Sequence, residues 1–83
     1  MGLTVKDRRK PTADLVRQLR TRLGLTQEKL AARLGVTFPT INRWENGRAN
    51  PSPLALKQIE DLLAALGKEG DDLRSQYFPK KAI

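Results

Sequence analysis

Asn42 and Arg43 stand side by side in the stretch TFPTINRWENG, residues 37–47, with Phe38 and Pro39 one helical turn before them. An amide, a guanidinium and an apolar first turn are the groups that major-groove base edges and thymine methyls call for. Arginine can bridge guanine O6 and N7 through two hydrogen bonds, and asparagine can do the same on adenine N6 and N7. Each residue also has a plainer use: Asn42 or Arg43 can hold a phosphate, and Phe38 can fold back on Val36 or the rim of the core. Elsewhere the chemistry is sparse. With no cysteine and no histidine, a disulfide framework, a zinc site with the usual ligands and nucleophile–histidine catalysis are all excluded. Asp71 and Asp72 are adjacent but lack a base, nucleophile or metal partner. The chain is therefore expected to be no enzyme and to need no cofactor.

A helix must present these groups. At about 100° per residue, Ile41, Trp44 and Glu45 fall on one side of a helix over residues 38–46, the side that packs. Pro39, Asn42, Arg43 and Asn46 fall on the opposite side, which faces outward, with Phe38 at the margin. Thr37 is the expected N-cap, which puts Pro39 in the first turn, where backbone N–H groups have no intrahelical partner to lose. Just upstream, Thr26 caps a helix over 27–34 that turns Leu30, Ala31 and Leu34 inward and stops at Gly35. Only Val36 and a cap residue separate the two helices, so they must turn sharply against each other.

Three further helices complete the pattern, and no segment alternates with period two for long. Thr12 is expected to cap a first helix over 13–23, whose stripe is Leu15, Val16, Leu19 and Leu23. Ser52 caps a fourth that opens on Pro53, carries Leu56, Ile59, Leu62, Leu63 and Leu66 inward, and closes at Gly67. The following GKEGDD reads as a turn, after which Asp71 caps a short fifth helix with Leu73 and Tyr77 at i, i+4.

At 83 residues the chain suits one small domain. Its formal net charge of +7 points to a polyanionic partner, nucleic acid first. The charge is uneven: residues 1–34 are strongly basic, whereas 59–73 set Glu60, Asp61, Glu69, Asp71 and Asp72 against Lys68 alone. Lys6, Arg8, Arg9 and Lys10 form a basic run before the first helix, either an arm that follows the groove or phosphates or a solvated tail. No apolar run approaches the roughly 20 residues that cross a bilayer, and the first residues lack the apolar stretch of a signal peptide. A cytoplasmic, nucleoid-associated protein without a membrane partner is expected.

Gln27, Ala31, Gly35, Ile41 and Trp44, followed by Glu45, Asn46 and Gly47, resemble the helix-turn-helix of the Cro/repressor (XRE) family of transcriptional regulators. The likeness covers roughly residues 15–67. It implies an all-α, compact four- to five-helix, lambda-repressor-like DNA-binding domain over 12–78, with a basic arm at 1–11 and a tail at 79–83. In that family the third helix enters the major groove and the second lies across the backbone. Carried over, Phe38, Pro39, Asn42 and Arg43 become base-reading candidates. Gln27, Thr37, Thr40, Asn46 and Arg48 become phosphate candidates, with Arg9 and Lys10 in the arm. Arg20 and Glu45 become a structural ion pair, and Trp44 fills the core between the third and fourth helices. Better-known repressors have a polar first turn here, so the apolar Phe38 and Pro39 are a departure.

The implied function is sequence-specific binding of a double-stranded operator, as a homodimer on DNA, and regulation of transcription by repression. Leu73, Tyr77 and Phe78 are the candidate dimer surface. A second reading is an antitoxin-type protein that binds a toxin partner and represses its own operon. Sequence-independent nucleic-acid binding would leave the patterned third helix without a use, and a membrane-surface helix would compete with the core for the apolar stripes.

Overall fold

A computed structural model of the protein describes residues 11–79. Five helices follow one another: α1 (Pro11–Leu23), α2 (Gln27–Leu34), α3 (Phe38–Glu45), α4 (Pro53–Ala65) and α5 (Lys68–Tyr77). Among the described residues there is no strand. The punctuation of α2 and α3 is local chemistry. Thr26 accepts from the Lys29 N–H at 3.1 Å, and Gly35, at φ 71°, turns its N–H onto the Ala31 and Ala32 carbonyls. That left-handed geometry is cheap only for glycine, and it lets the chain reverse through Val36 into the next cap. Thr37 then accepts from the Thr40 N–H at 3.3 Å, with Pro39 in the first turn. At α4, Ser52 accepts from the Ala55 N–H at 3.1 Å.

Two helix starts differ from the sequence expectation. Helix α1 begins at Pro11, so Thr12 lies inside the first turn instead of capping it. A proline there surrenders no hydrogen bond, and the Thr12 hydroxyl donates to Asn50 Oδ1 at 3.0 Å, tying the start of α1 to the α3–α4 loop. Helix α5 begins three residues before Asp71, which sits in its first turn; GKEGDD is mostly helix. The cause is packing. Gly70 is buried, and a Cβ built on it would stand 2.2 Å from the Leu63 carbonyl oxygen. The α5 backbone thus lies directly on α4, and the propensity cost of a helical glycine is overridden. Gly70→Ala should destabilise the protein by about 1–3 kcal/mol, although alanine is the better helix former. A melting temperature that rose in this variant would disprove the close approach.

Leu15, Val16, Leu19, Leu30, Ile41, Ile59 and Leu63 are the large side chains fully withdrawn from solvent. Burial of each is worth about 1.5–3 kcal/mol. Trp44 and Leu73 join this core, which also takes Ala55, Ile59 and Leu63 from α4; the α3 backbone itself lies nearest α1 and α2. Leu73 is only 3% exposed, and Tyr77 and Phe78 pack against the same core. Leu73 is thus spent inside the fold, Tyr77 and Phe78 remain half-buried, and truncation after Gly67 would remove part of the core.

Arg22 clasps α5 onto α1. Its Nη1 donates to the Glu69 carbonyl at 2.8 Å and its Nη2 to Asp72 Oδ2 at 3.0 Å. The hydrogen bond from Arg22 holds the Asp72 carboxyl below its ordinary value. A depressed folded-state pKa contributes stability above the unfolded value and loses it as pH falls through the folded one. Asp72→Asn should therefore lower the melting temperature at neutral pH, with the gap closing as pH drops below about 4. Equal gaps at pH 7 and pH 2.5 would refute this.

No described helix is long and apolar enough to cross a membrane. Residues 1–10 of the 1–11 arm, with Arg9 and Lys10, and residues 80–83 of the tail lie outside the described residues.

Candidate nucleic-acid interface

Helix α3 is anchored by Ile41, Trp44 and Glu45, all buried. The same spacing leaves Phe38, Pro39, Arg43 and Asn46 exposed and Asn42 half-buried. With Arg48 they line an open depression of about 420 Å³. Phe38 keeps 44% of its surface open to solvent, so its ring remains available at the mouth of this depression. No described carboxylate pairs with Arg43 or Arg48. At the start of α3 the Thr37 and Thr40 hydroxyls are hydrogen-bonded to each other at 2.8 Å. At its end, the Arg48 N–H bonds the Arg43 carbonyl at 2.9 Å, which fixes the chain path into the following loop.

The charges behind the face are paired. Glu45 is 2% exposed, and Arg20 forks onto it, Nε to Oε2 at 2.7 Å and Nη2 to Oε1 at 3.1 Å. The hydrogen bond to Glu45 pushes the Arg20 guanidinium above its ordinary value against the opposing cost of burial. Arg20 Nη1 also donates to the Leu25 carbonyl at 3.3 Å, and Arg17 Nη2 to the Glu45 carbonyl at 3.0 Å. Two arginines of α1 thus grip the end of α3.

From Glu45 a line of amides runs to the surface. Gln27 Nε2 donates to Glu45 Oε1 at 3.0 Å, Asn42 Nδ2 to Gln27 Oε1 at 3.3 Å, and Asn46 Nδ2 to Asn42 Oδ1 at 3.0 Å. The Gln27 side chain therefore faces inward, toward α3, rather than away from the protein. Arg17 and this amide line are absent from the sequence reasoning. Signals for both existed, since Arg17 precedes Arg20 by three residues on one helix face, and Asn42 and Asn46 are four apart on another.

The comparisons with known proteins agree with this geometry. A helix-turn-helix family model matches residues 16–68, which holds α2, the turn and α3 entire. The chain is 49% identical over 55 residues to an HTH-type transcriptional regulator of Methanothermobacter thermautotrophicus, covering 66% of this chain and 75% of the relative. Over 49 residues, 59% of the chain, it is 49% identical to a transcriptional regulator in the ATPase CF(0) region of Rhodospirillum rubrum. It is 46% identical, again over 49 residues, to the HTH-type transcriptional activator BcrR of Enterococcus faecalis. These matches span 45% and 24% of the two relatives, respectively. No solved structure matches the chain. With its helix-turn-helix matched throughout and its third helix presented outward on a buried anchor, the chain belongs to the Cro/repressor-type (XRE) helix-turn-helix family of transcriptional regulators.

Proposed function

We propose that the protein binds a specific double-stranded DNA site through α3 in the major groove and represses transcription by occupying that site. The observation that carries this reading is the outward face of α3, where Asn42 and Arg43 project beside an exposed Phe38 while Ile41, Trp44 and Glu45 hold the helix rigid. In this reading Arg43 bridges a guanine, Asn42 reads an adenine, and Phe38 and Pro39 lie against thymine methyls. Thr37, Thr40, Asn46 and Arg48 meet the flanking phosphates, joined by Arg9 and Lys10 of the arm. Gln27 contributes its backbone N–H, in the first turn of α2, where a phosphate is favoured by the helix end. Occupancy alone suffices to block a promoter, whereas activation requires a further surface for polymerase.

An eight-residue recognition helix spans only a few base pairs. Two copies on half-sites about 34 Å apart would multiply the selectivity. Selection of bound sites from random duplex DNA, with affinity followed against salt, tests all of this together. A motif of two half-sites one helical turn apart is expected. Affinity that falls with salt equally for every sequence, with no motif enriched, would reduce the protein to a simple polycation.

A further inference from the structure

The amide line from Glu45 to Asn46 has a direction, and its direction matters for what Asn42 can read. A side-chain amide is two-faced, with an oxygen that accepts and an NH₂ that donates, and either end can occupy the same place unless a neighbour decides. Here the neighbour is a carboxylate gripped by Arg20, which can only accept. Gln27 must therefore turn its NH₂ to Glu45 and its oxygen to Asn42. Asn42 must answer with its own NH₂, which leaves its oxygen toward the end of α3, where the Asn46 NH₂ takes it. Each of these bonds uses one of two hydrogens or one of two lone pairs, so Asn42 keeps a donor and an acceptor for a base, in one fixed order.

We infer that Gln27 is a positioning residue for base recognition: through Glu45 it orients the Asn42 amide so that Asn42 distinguishes A·T from T·A at one position of the site. The chemistry follows from the major-groove edge of adenine, where N7 accepts and N6 donates. Exchanging the strands reverses the order of these two groups across the groove. An amide held one way matches a single order; an amide free to turn over matches both. The inference rests on the proposed reading of Asn42, and the experiment separates the two.

Binding to selected duplexes, and to the same duplexes with each A·T pair reversed, is to be measured for the wild-type chain, Asn42→Ala and Gln27→Met, with a salt series and a melting curve for each. Methionine keeps the length of Gln27 and removes its amide. The expected result is that Asn42→Ala flattens the preference at one base pair. Gln27→Met should then lose on the order of 10-fold of the A·T over T·A preference at that same pair, with the salt slope unchanged. If Asn42→Ala flattens a position and Gln27→Met leaves it intact, the inference is overturned while base reading by Asn42 stands. If Gln27→Met weakens all duplexes equally and lowers the salt slope by about 1, the side chain holds a phosphate instead and the inference again falls. If Asn42→Ala changes no position, the reading itself fails and takes the inference with it. Asn46→Ala, at an exposed site that cannot disturb the core, frees the other end of the Asn42 amide and should weaken the same preference. Should Gln27→Met not fold, Gln27→Leu takes its place, and an intact A·T over T·A preference in that variant overturns the inference.

Discussion

Arg20→Ala is expected to cost about 3–5 kcal/mol of folding stability. The size of the loss comes from what remains rather than from what is removed. Glu45 is 2% exposed, and its carboxylate is bridged by both Nε and Nη2 of Arg20. Without the guanidinium an uncompensated charge stays buried beneath α3, since Arg17 reaches the carboxylate only at 3.9 Å and gives its closer bond to the Glu45 carbonyl. A domain of this size has roughly 0.05–0.15 kcal/mol per residue to lose. The melting temperature should fall by about 12 °C or more, taking the lower cost and about 4 °C per kcal/mol. The double variant Arg20→Met/Glu45→Leu separates charge from shape: removing both partners should recover most of the loss, because apolar replacement of a buried pair is often neutral or better. An Arg20→Ala protein that melts with the wild type would refute the pair as a support of the fold.

Much of this architecture was legible because its signals are local. Thr26, Gly35, Thr37 and Ser52 cap or stop helices through bonds made within four residues, and α2 runs over 27–34 as the caps dictate. The outward face of α3 follows from helical periodicity, with Ile41, Trp44 and Glu45 inside. What was not legible depends on contacts between distant segments. Gly70 resembles a turn signal in sequence, but its function is to bring α5 onto the Leu63 carbonyl, which no local preference announces. Leu73 and Tyr77, four apart, suit either an interface or a core, and only the docking of α5 on α1 and α4 draws Leu73 fully into the core and leaves Tyr77 half-buried. The amide line is harder still. Gln27 and Asn42 are fifteen positions apart, and their orientation depends on a carboxylate that itself depends on an arginine of α1.

Arg43→Ala is the opposite kind of change from Arg20→Ala, and its effect should appear only on DNA. Arg43 is exposed in the last turn of α3 and pairs with no described carboxylate, so the variant should melt within about 0.5 kcal/mol of the wild type. A bidentate arginine–guanine contact discriminates by about 1–3 kcal/mol. Affinity for the selected site should therefore drop by roughly 5- to 150-fold, while affinity for unrelated duplexes falls far less. In repeated site selection, one guanine should lose its preference and the remaining positions should keep theirs. Arg43→Lys sharpens the test, because it preserves the charge but cannot present two parallel donors to O6 and N7. Under base reading, lysine behaves nearly as alanine does at that guanine and nearly as arginine does in the salt slope. Under phosphate binding, lysine restores affinity on every sequence, and alanine weakens every sequence alike with a slope smaller by about 1. The contrast therefore distinguishes a residue that reads from one that merely holds, at a position whose substitution leaves the fold intact.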